Sequence, residues 1–306
     1  MSNITASMVK DLRDKTGAGM MDCKAALAET AGDMEAAIDW LRKKGLSKAA
    51  KKAGRVAAEG LVGVAAQDNV GALVEVNAET DFVARNDEFK IFVKDAADAA
   101  LKAEGDLEKL LAHPAAEGSM KDRLTALVAK IGENMSVRRA VMLGVEEGVV
   151  ATYVHNAASP ELGKIGVLVA LKSSADKAKL AALGKQIAMH VAAAAPLALT
   201  PEHLPKEVVD RERTVQADIA RQSGKPENVI EKMLEGRMRK FYEESVLLSQ
   251  TFVIDGETQI SKVIEKASKD FGSPVAIEGF VRFQVGEGIE KADSDFADEV
   301  SKMAGN

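Results

Sequence analysis

Cysteine is nearly absent from this chain of 306 residues. Cys23 is the only one, so no disulfide can close within the chain, and the expectation is a reducing compartment. Aromatic residues make up only 4%, with one Trp and two Tyr. Each aromatic outside an obvious core position therefore carries more information than usual. No run approaches the roughly 20 apolar residues of a membrane span, so no membrane association is expected. The first twelve residues, MSNITASMVKDL, lack the apolar stretch of a secretory leader, and the expected location is the cytoplasm. Basic residues do not dominate either: 41 Lys+Arg stand against 47 Asp+Glu, a net charge of −6. That balance argues against a general nucleic-acid binder.

The familiar marks of catalysis are also missing. No G-x-x-x-x-G-K-[ST] loop, H-E-x-x-H or C-x-x-C occurs, and no strand precedes a G-x-G-x-x-G. Four scattered His and one Cys suggest no nucleophile with its base. The expectation is a protein that is not an enzyme, with no cofactor and no metal.

What is present has a clear order. Charge is uneven, with 11 Lys+Arg and 7 Asp+Glu in residues 1–55. A basic head on an acidic body suggests a polar or acidic partner for the head. Ile4, Met8, Val9 and Leu12 recur at helical spacing, with Gly17 as a stop. A second helix is predicted over about 21–30. Asp33 can cap a third, which ends at Gly45. Residues 1–45 thus read as a three-helix module and 46–58 as a basic, Ala-rich linker, helical or flexible.

The period then changes to two. LVGVAA and VGALVEVN, joined at QDN, predict a hairpin, with a helix from DEFKIFVKDAADAALKA and a later strand in VRRAVMLGV. The order returns as VVATYVHN, a Ser-Pro loop, KIGVLVALK, the helix AKLAALGKQIAMHVAA and a strand in VAIEGFVRFQV. This reads as an α+β protein with a duplicated core, subdomains 59–146 and 147–283, each an antiparallel sheet with helices on one face. Two charged helices from about 204–247 form an inserted hairpin arm. Its apolar stripe either zips the arms together or docks on another surface. Residues 284–306 make an acidic C-terminal module, where Ile289, Phe296 and Val300 can share one side of a last helix.

TDFVARN, between the first hairpin and its helix, is the odd connection, because it places Phe82 where a polar turn belongs. Asp81 can cap the next turn while Phe82 staples it to the sheet, or Phe82 can face a partner. Met20 and Met21 present a similar choice between a buried pair and an adaptable contact surface. For His190, in an apolar helix, a satisfied core histidine is expected. His155 is expected exposed at a strand end before a polar loop.

TGAGMMDCKAAL, EVNAETDFVARN, KIGENMSVRR, IAMHVAA, SGKPENVIEKMLEGRMRKF and VRFQVGEGIEK occur in this order, and together the chain resembles the bacterial elongation factor Ts family from end to end. Departures are small: Ala25 stands where Lys is frequent, Ile254 where Met is found, and ASPELGK lengthens the second hairpin loop. The resemblance implies guanine-nucleotide exchange on elongation factor Tu. It also implies an N-terminal module of ubiquitin-associated type, the duplicated core, a helical-hairpin dimerisation segment through which a homodimer can form, and a C-terminal helical module. Thr80, Asp81, Phe82 and Val83 would then form an exposed wedge near the nucleotide phosphates and magnesium. Arg13, Met20, Met21, Lys24, Lys52, Ile131, Gly132, His155, Val253 and Ile254 would be further partner contacts. A ribosome- or RNA-associated protein using its basic head is the alternative.

Overall fold

A computed structural model describes residues 4–16, 18–116, 118–222, 224 and 226–290. Gly17 and most of the 284–306 segment, including Phe296 and Val300, lie outside the described residues. The fold mixes helix and antiparallel sheet, with helices at the N-terminus. The chain divides into two compact units. The first comprises 1–63, 74–140 and 284–306, the second 64–73 and 141–283.

The first unit opens with α1 (Ala6–Thr16), α2 (Met20–Glu29) and α3 (Met34–Lys52). Val9, Leu12, Cys23, Ala26, Leu27 and Ala37 are buried between them. The Asp33 carboxylate caps α3, accepting the Ala36 N–H at 2.8 Å. One expectation fails here. α3 does not stop at Gly45 but runs on through the first half of the basic stretch. Tertiary packing accounts for it: a Cβ on Gly45 would stand 3.3 Å from that of Ala129, so glycine lets the two backbones approach closely. The facing helix is α7 (Met120–Ile131), and Arg42 also reaches Asp122 at 3.6 Å.

β1 (Glu59–Gln67) and β2 (Val70–Ala78) form the first hairpin, and their tips belong to the second unit. The short α4 (Asp81–Arg85) follows directly, then α5 (Asp87–Lys102) and α6 (Leu107–Ala112). α5 buries Phe89, Phe92, Val93, Ala96 and Ala100, which recur at helical spacing. β3 (Met135–Gly144) lies beside β2.

In the second unit β4 (Gly148–Ser159) pairs antiparallel with β5 (Leu162–Lys172). The expected Ser-Pro loop is largely strand. Pairing continues to Ser159 opposite Leu162, with a register irregularity at Ala157–Ser159. α8 (Lys177–Ala194) covers the pair, α11 (Ile260–Phe271) follows later, and β6 (Ala276–Gln284) also pairs with β5. Val167, Val169, Leu171, Leu180, Ile187, Phe252, Ile260 and Ile264 fill the core between sheet and helices. α9 (Lys206–Arg221) and α10 (Glu227–Ser245) pack against each other, rooted on Leu204, Val209, Phe241 and Val246. The stripe is only partly used in zipping the arms. Ile230 and Met238 are buried, whereas Val215 and Ile219 remain exposed. No helix among the described residues is long and apolar enough to cross a membrane.

Candidate functional site

The TDFV residues do not form an irregular connection. Thr80 is the N-cap of α4, whose five residues start at Asp81. Val83 and Ala84 turn inward and are buried, while Phe82 is 73% exposed. The staple reading of Phe82 is therefore overturned: its ring leaves the sheet for solvent. Its described ring neighbour is the Arg85 guanidinium, 5.9 Å from the centroid, and Arg85 in turn pairs with Asp81 at 3.0 Å. Asp81 is thus engaged by a side chain one turn on and does not serve as the cap.

The base of this turn is held by residues that motif reading passed over. The Glu133 carboxylate accepts both the Thr80 N–H (3.0 Å) and the Thr80 hydroxyl (2.8 Å). Glu79 accepts the Asn134 N–H at 2.5 Å and lies 3.4 Å from the Arg55 guanidinium. The Asn134 amide donates to the Arg55 carbonyl at 2.7 Å. Lys52 donates to the Gly132 carbonyl. Gly132 ends α7 in the left-handed conformation, φ 88°, where a Cβ is disfavoured, so the loop leaves the helix at a fixed angle. Thr80, Lys52 and Gly132, far apart in sequence, therefore meet in one hydrogen-bonded clasp, with Ile131 next to Gly132 at the end of α7. Glu133 and Asn134 are its missed members. The only signal for them was that they directly follow Ile131 and Gly132 in KIGEN.

Met20 and Met21 open α2, and both are exposed, at 59% and 76%. The buried-pair reading is overturned. Arg13 and Lys24 are exposed as well. Asp22 behind the methionines ties α2 to α3 through Lys48 (2.8 Å) and Lys44 (3.1 Å). The hydrogen bond from Lys48 and the nearby Lys44 hold its carboxyl below the usual range despite partial desolvation.

In the second unit His155 is exposed, though within β4 rather than at its end, and its Nδ1 lies 3.1 Å from the Tyr153 hydroxyl. Val253 and Ile254 are about half exposed. They follow Phe252, which is buried beside His190. His190 is the satisfied core histidine expected of it. Its Nδ1 accepts the Val253 N–H at 3.2 Å, so Nε2 carries the proton and donates to Gln250 Oε1 at 2.9 Å. Burial holds its pKa below the ordinary value, against the raising effect of Gln250. The imidazole thus moors the loop that displays Val253.

His190→Ala would orphan the Val253 N–H and open a cavity, at a cost of about 2–3 kcal/mol measurable by denaturant titration. The folded-state pKa is lowered, so the unfolded chain takes up the proton first. The wild type should lose stability as pH falls below about 6.5, and the variant should lack that contribution.

Glu79 and Asp81, the one carboxylate pair flanking the turn, are each engaged by an arginine. No group of three or more metal-ligating side chains occurs among the described residues.

The family model for elongation factor TS matches residues 79–287, which includes the TDFV turn and the KIGEN loop. The chain is 63% identical to elongation factor Ts of Rhodospirillum rubrum over 304 residues, covering 98% of each. It is 62% identical to that of Rhodospirillum centenum over 307 residues and the full length of both chains. Identity to that of Maricaulis maris is 58%, covering 100% of this chain and 99% of the relative. The ribosome- or RNA-associated alternative gains no support from these relatives. With a family model over most of its length and such identity end to end, the chain belongs to the elongation factor Ts family.

Proposed function

We propose that the chain is the guanine-nucleotide exchange factor of elongation factor Tu. It binds the GDP-bound GTPase, disturbs the magnesium and phosphate site, and so releases GDP and allows GTP to load. Family membership supports the exchange role. One observation carries the mechanism: Phe82 stands 73% exposed on a turn whose base is fixed by Glu133. A large apolar ring held in water on a constrained backbone suits insertion between elements of a partner.

The action is thermodynamic and needs no cofactor, metal or bond-breaking group. A factor that binds nucleotide-free GTPase better than the GDP-bound form weakens GDP binding by the same ratio. Phe82 alone cannot supply that ratio. Burying one Phe yields about 1.5–3 kcal/mol, roughly ten- to hundredfold in affinity. Further contacts are therefore assigned to Thr80 and Asp81 of the turn, to Arg13, Met20, Met21 and Lys24, to the clasp members Lys52 and Gly132 with the adjacent Ile131, and to His155, Val253 and Ile254; Val83, expected in the exposed wedge, is buried and anchors the turn instead.

The finer layout follows the same reading. Residues 1–45 are taken as a head of ubiquitin-associated type, 46–58 as its basic connection, and 59–146 and 147–283 as duplicated subdomains. The arm at about 204–247 is taken as a dimerisation segment, supported by the exposed Val215 and Ile219, and 284–306 as a C-terminal partner-binding module. Action on a translation factor places the protein in the cytoplasm, without direct nucleic-acid contact.

The test is release of a fluorescent GDP analogue from elongation factor Tu of the same organism under excess unlabelled GDP. Strong acceleration by the purified chain is expected. No acceleration by folded protein would overturn the function.

A further inference from the structure

We infer that Glu133 is a positioning residue for exchange: its carboxylate sets the orientation in which Phe82 is presented. The inference rests on the exchange reading above and deepens it.

A five-residue helix cannot hold itself, since nucleation costs more than so few hydrogen bonds return. The usual local remedy is absent, because the Thr80 side chain does not cap α4. Its hydroxyl is committed to Glu133 instead, as is its N–H. Two bonds from one residue to one carboxylate fix direction as well as distance. The inner side of the turn is anchored separately by buried Val83 and Ala84. Phe82 lies between these two anchors, so its Cα is held on both sides while its ring projects into solvent beside Arg85.

Glu133 is itself fixed from both neighbours. Gly132 is held through its carbonyl by Lys52, and Asn134 through its N–H by Glu79 and through its amide by the Arg55 carbonyl. The exchange turn is thus aimed by a loop 53 residues away in sequence. Misplacing a working group by about 1 Å can cost about a hundredfold in rate, whereas binding spread over many contacts tolerates it.

The experiment compares GDP release from elongation factor Tu across a titration of wild type, Glu133→Ala, Glu133→Gln, Phe82→Ala and the Phe82→Ala/Glu133→Ala double variant, each checked by thermal melting. Glu133→Ala should lower the saturating rate about tenfold and leave the half-saturating concentration nearly unchanged. Glu133→Gln should recover most of the rate, because its carbonyl can accept the Thr80 N–H while its amide donates to the hydroxyl. The double variant should be no slower than Phe82→Ala, since Glu133 acts through that ring.

A fast Glu133→Ala beside a slow Phe82→Ala would overturn this inference alone, as would losses that multiply in the double variant. A fast Phe82→Ala would overturn the wedge and this inference with it. A wild type without activity would overturn the function itself. If Glu133→Ala fails to fold, Thr80→Val decides: a loss that vanishes in the Phe82→Ala background supports the inference, and a wild-type rate overturns it.

Discussion

Phe82→Ala is expected to lower the rate of GDP release at saturating factor by about ten- to hundredfold, the range set by burying one phenyl ring in the partner. The same change should leave the free protein's melting temperature almost untouched. The ring is 73% exposed, so its removal opens no cavity, and exposed substitutions usually stay within about 0.5 kcal/mol. These two expectations separate an exchange defect from a folding defect. Binding to nucleotide-free elongation factor Tu should fall by much less than the rate, because the proposed contacts on α2, in the clasp and on the Val253 loop remain. Equal losses in affinity and in saturating rate would instead make Phe82 an ordinary anchor. Stopped-flow release and equilibrium titration on the same preparations would decide.

A large stability effect should come from Glu75, the fully buried carboxylate of β2. It accepts from Arg139 Nε at 2.6 Å, Arg138 at 3.1 Å, the Gly286 N–H at 2.8 Å and the Asn77 amide at 3.0 Å. Arg138 also donates to the Glu287 carbonyl at 2.7 Å, so the knot ties the start of the C-terminal segment to the first unit. Burial pushes the Glu75 carboxyl up, but the Gly286 N–H, the Asn77 amide and Arg139 together outweigh it, and the pKa ends below the usual range.

Breaking a buried ion pair costs about 3–5 kcal/mol. The two arginine side chains keep about 30% exposure, so the lower part of that range or slightly less, about 2–3 kcal/mol, is expected for Glu75→Gln at neutral pH. The folded pKa is lowered, so the wild type's advantage is fully present above the unfolded carboxylate value of about 4.3 and fades as pH falls through the folded one. Melting of the first unit at several pH values should show the two proteins converging in acid. A gap that stays constant from pH 7 to pH 3 would show that the charge is not what stabilises.

Local pattern announced much of this molecule. The period-two runs gave β1, β2, β4 and β5, and the helical spacing of Ile230, Met233, Leu234 and Met238 gave α10. The Asp33 cap was legible because it reaches only three residues ahead. Illegible were the features decided by distant neighbours. Gly45 reads as a helix stop until Ala129 is known to face it. ASPELG reads as a loop until its pairing across β4 and β5 is known. At TDFVARN the residues alone allowed both a staple and an exposed ring. What excludes the staple is a turn anchored inward by Val83 and Ala84 and held by Glu133, and no local window contains that carboxylate.

The unbroken α3 also acts as a gauge of angle. Each residue advances a helix by about 1.5 Å and turns it by about 100°. Asp22 grips α3 at Lys44 and Lys48, and Lys52 at its far end grips Gly132. The number of residues between those grips therefore fixes the azimuth of the Met20–Met21 edge about the helix axis, relative to the loop that aims Phe82. Deleting one residue between Lys48 and Lys52 would turn that edge by about a quarter of a circle while shortening the rod by little more than an ångström. Two surfaces proposed to meet one partner would then be out of phase, with every side chain of both still in place.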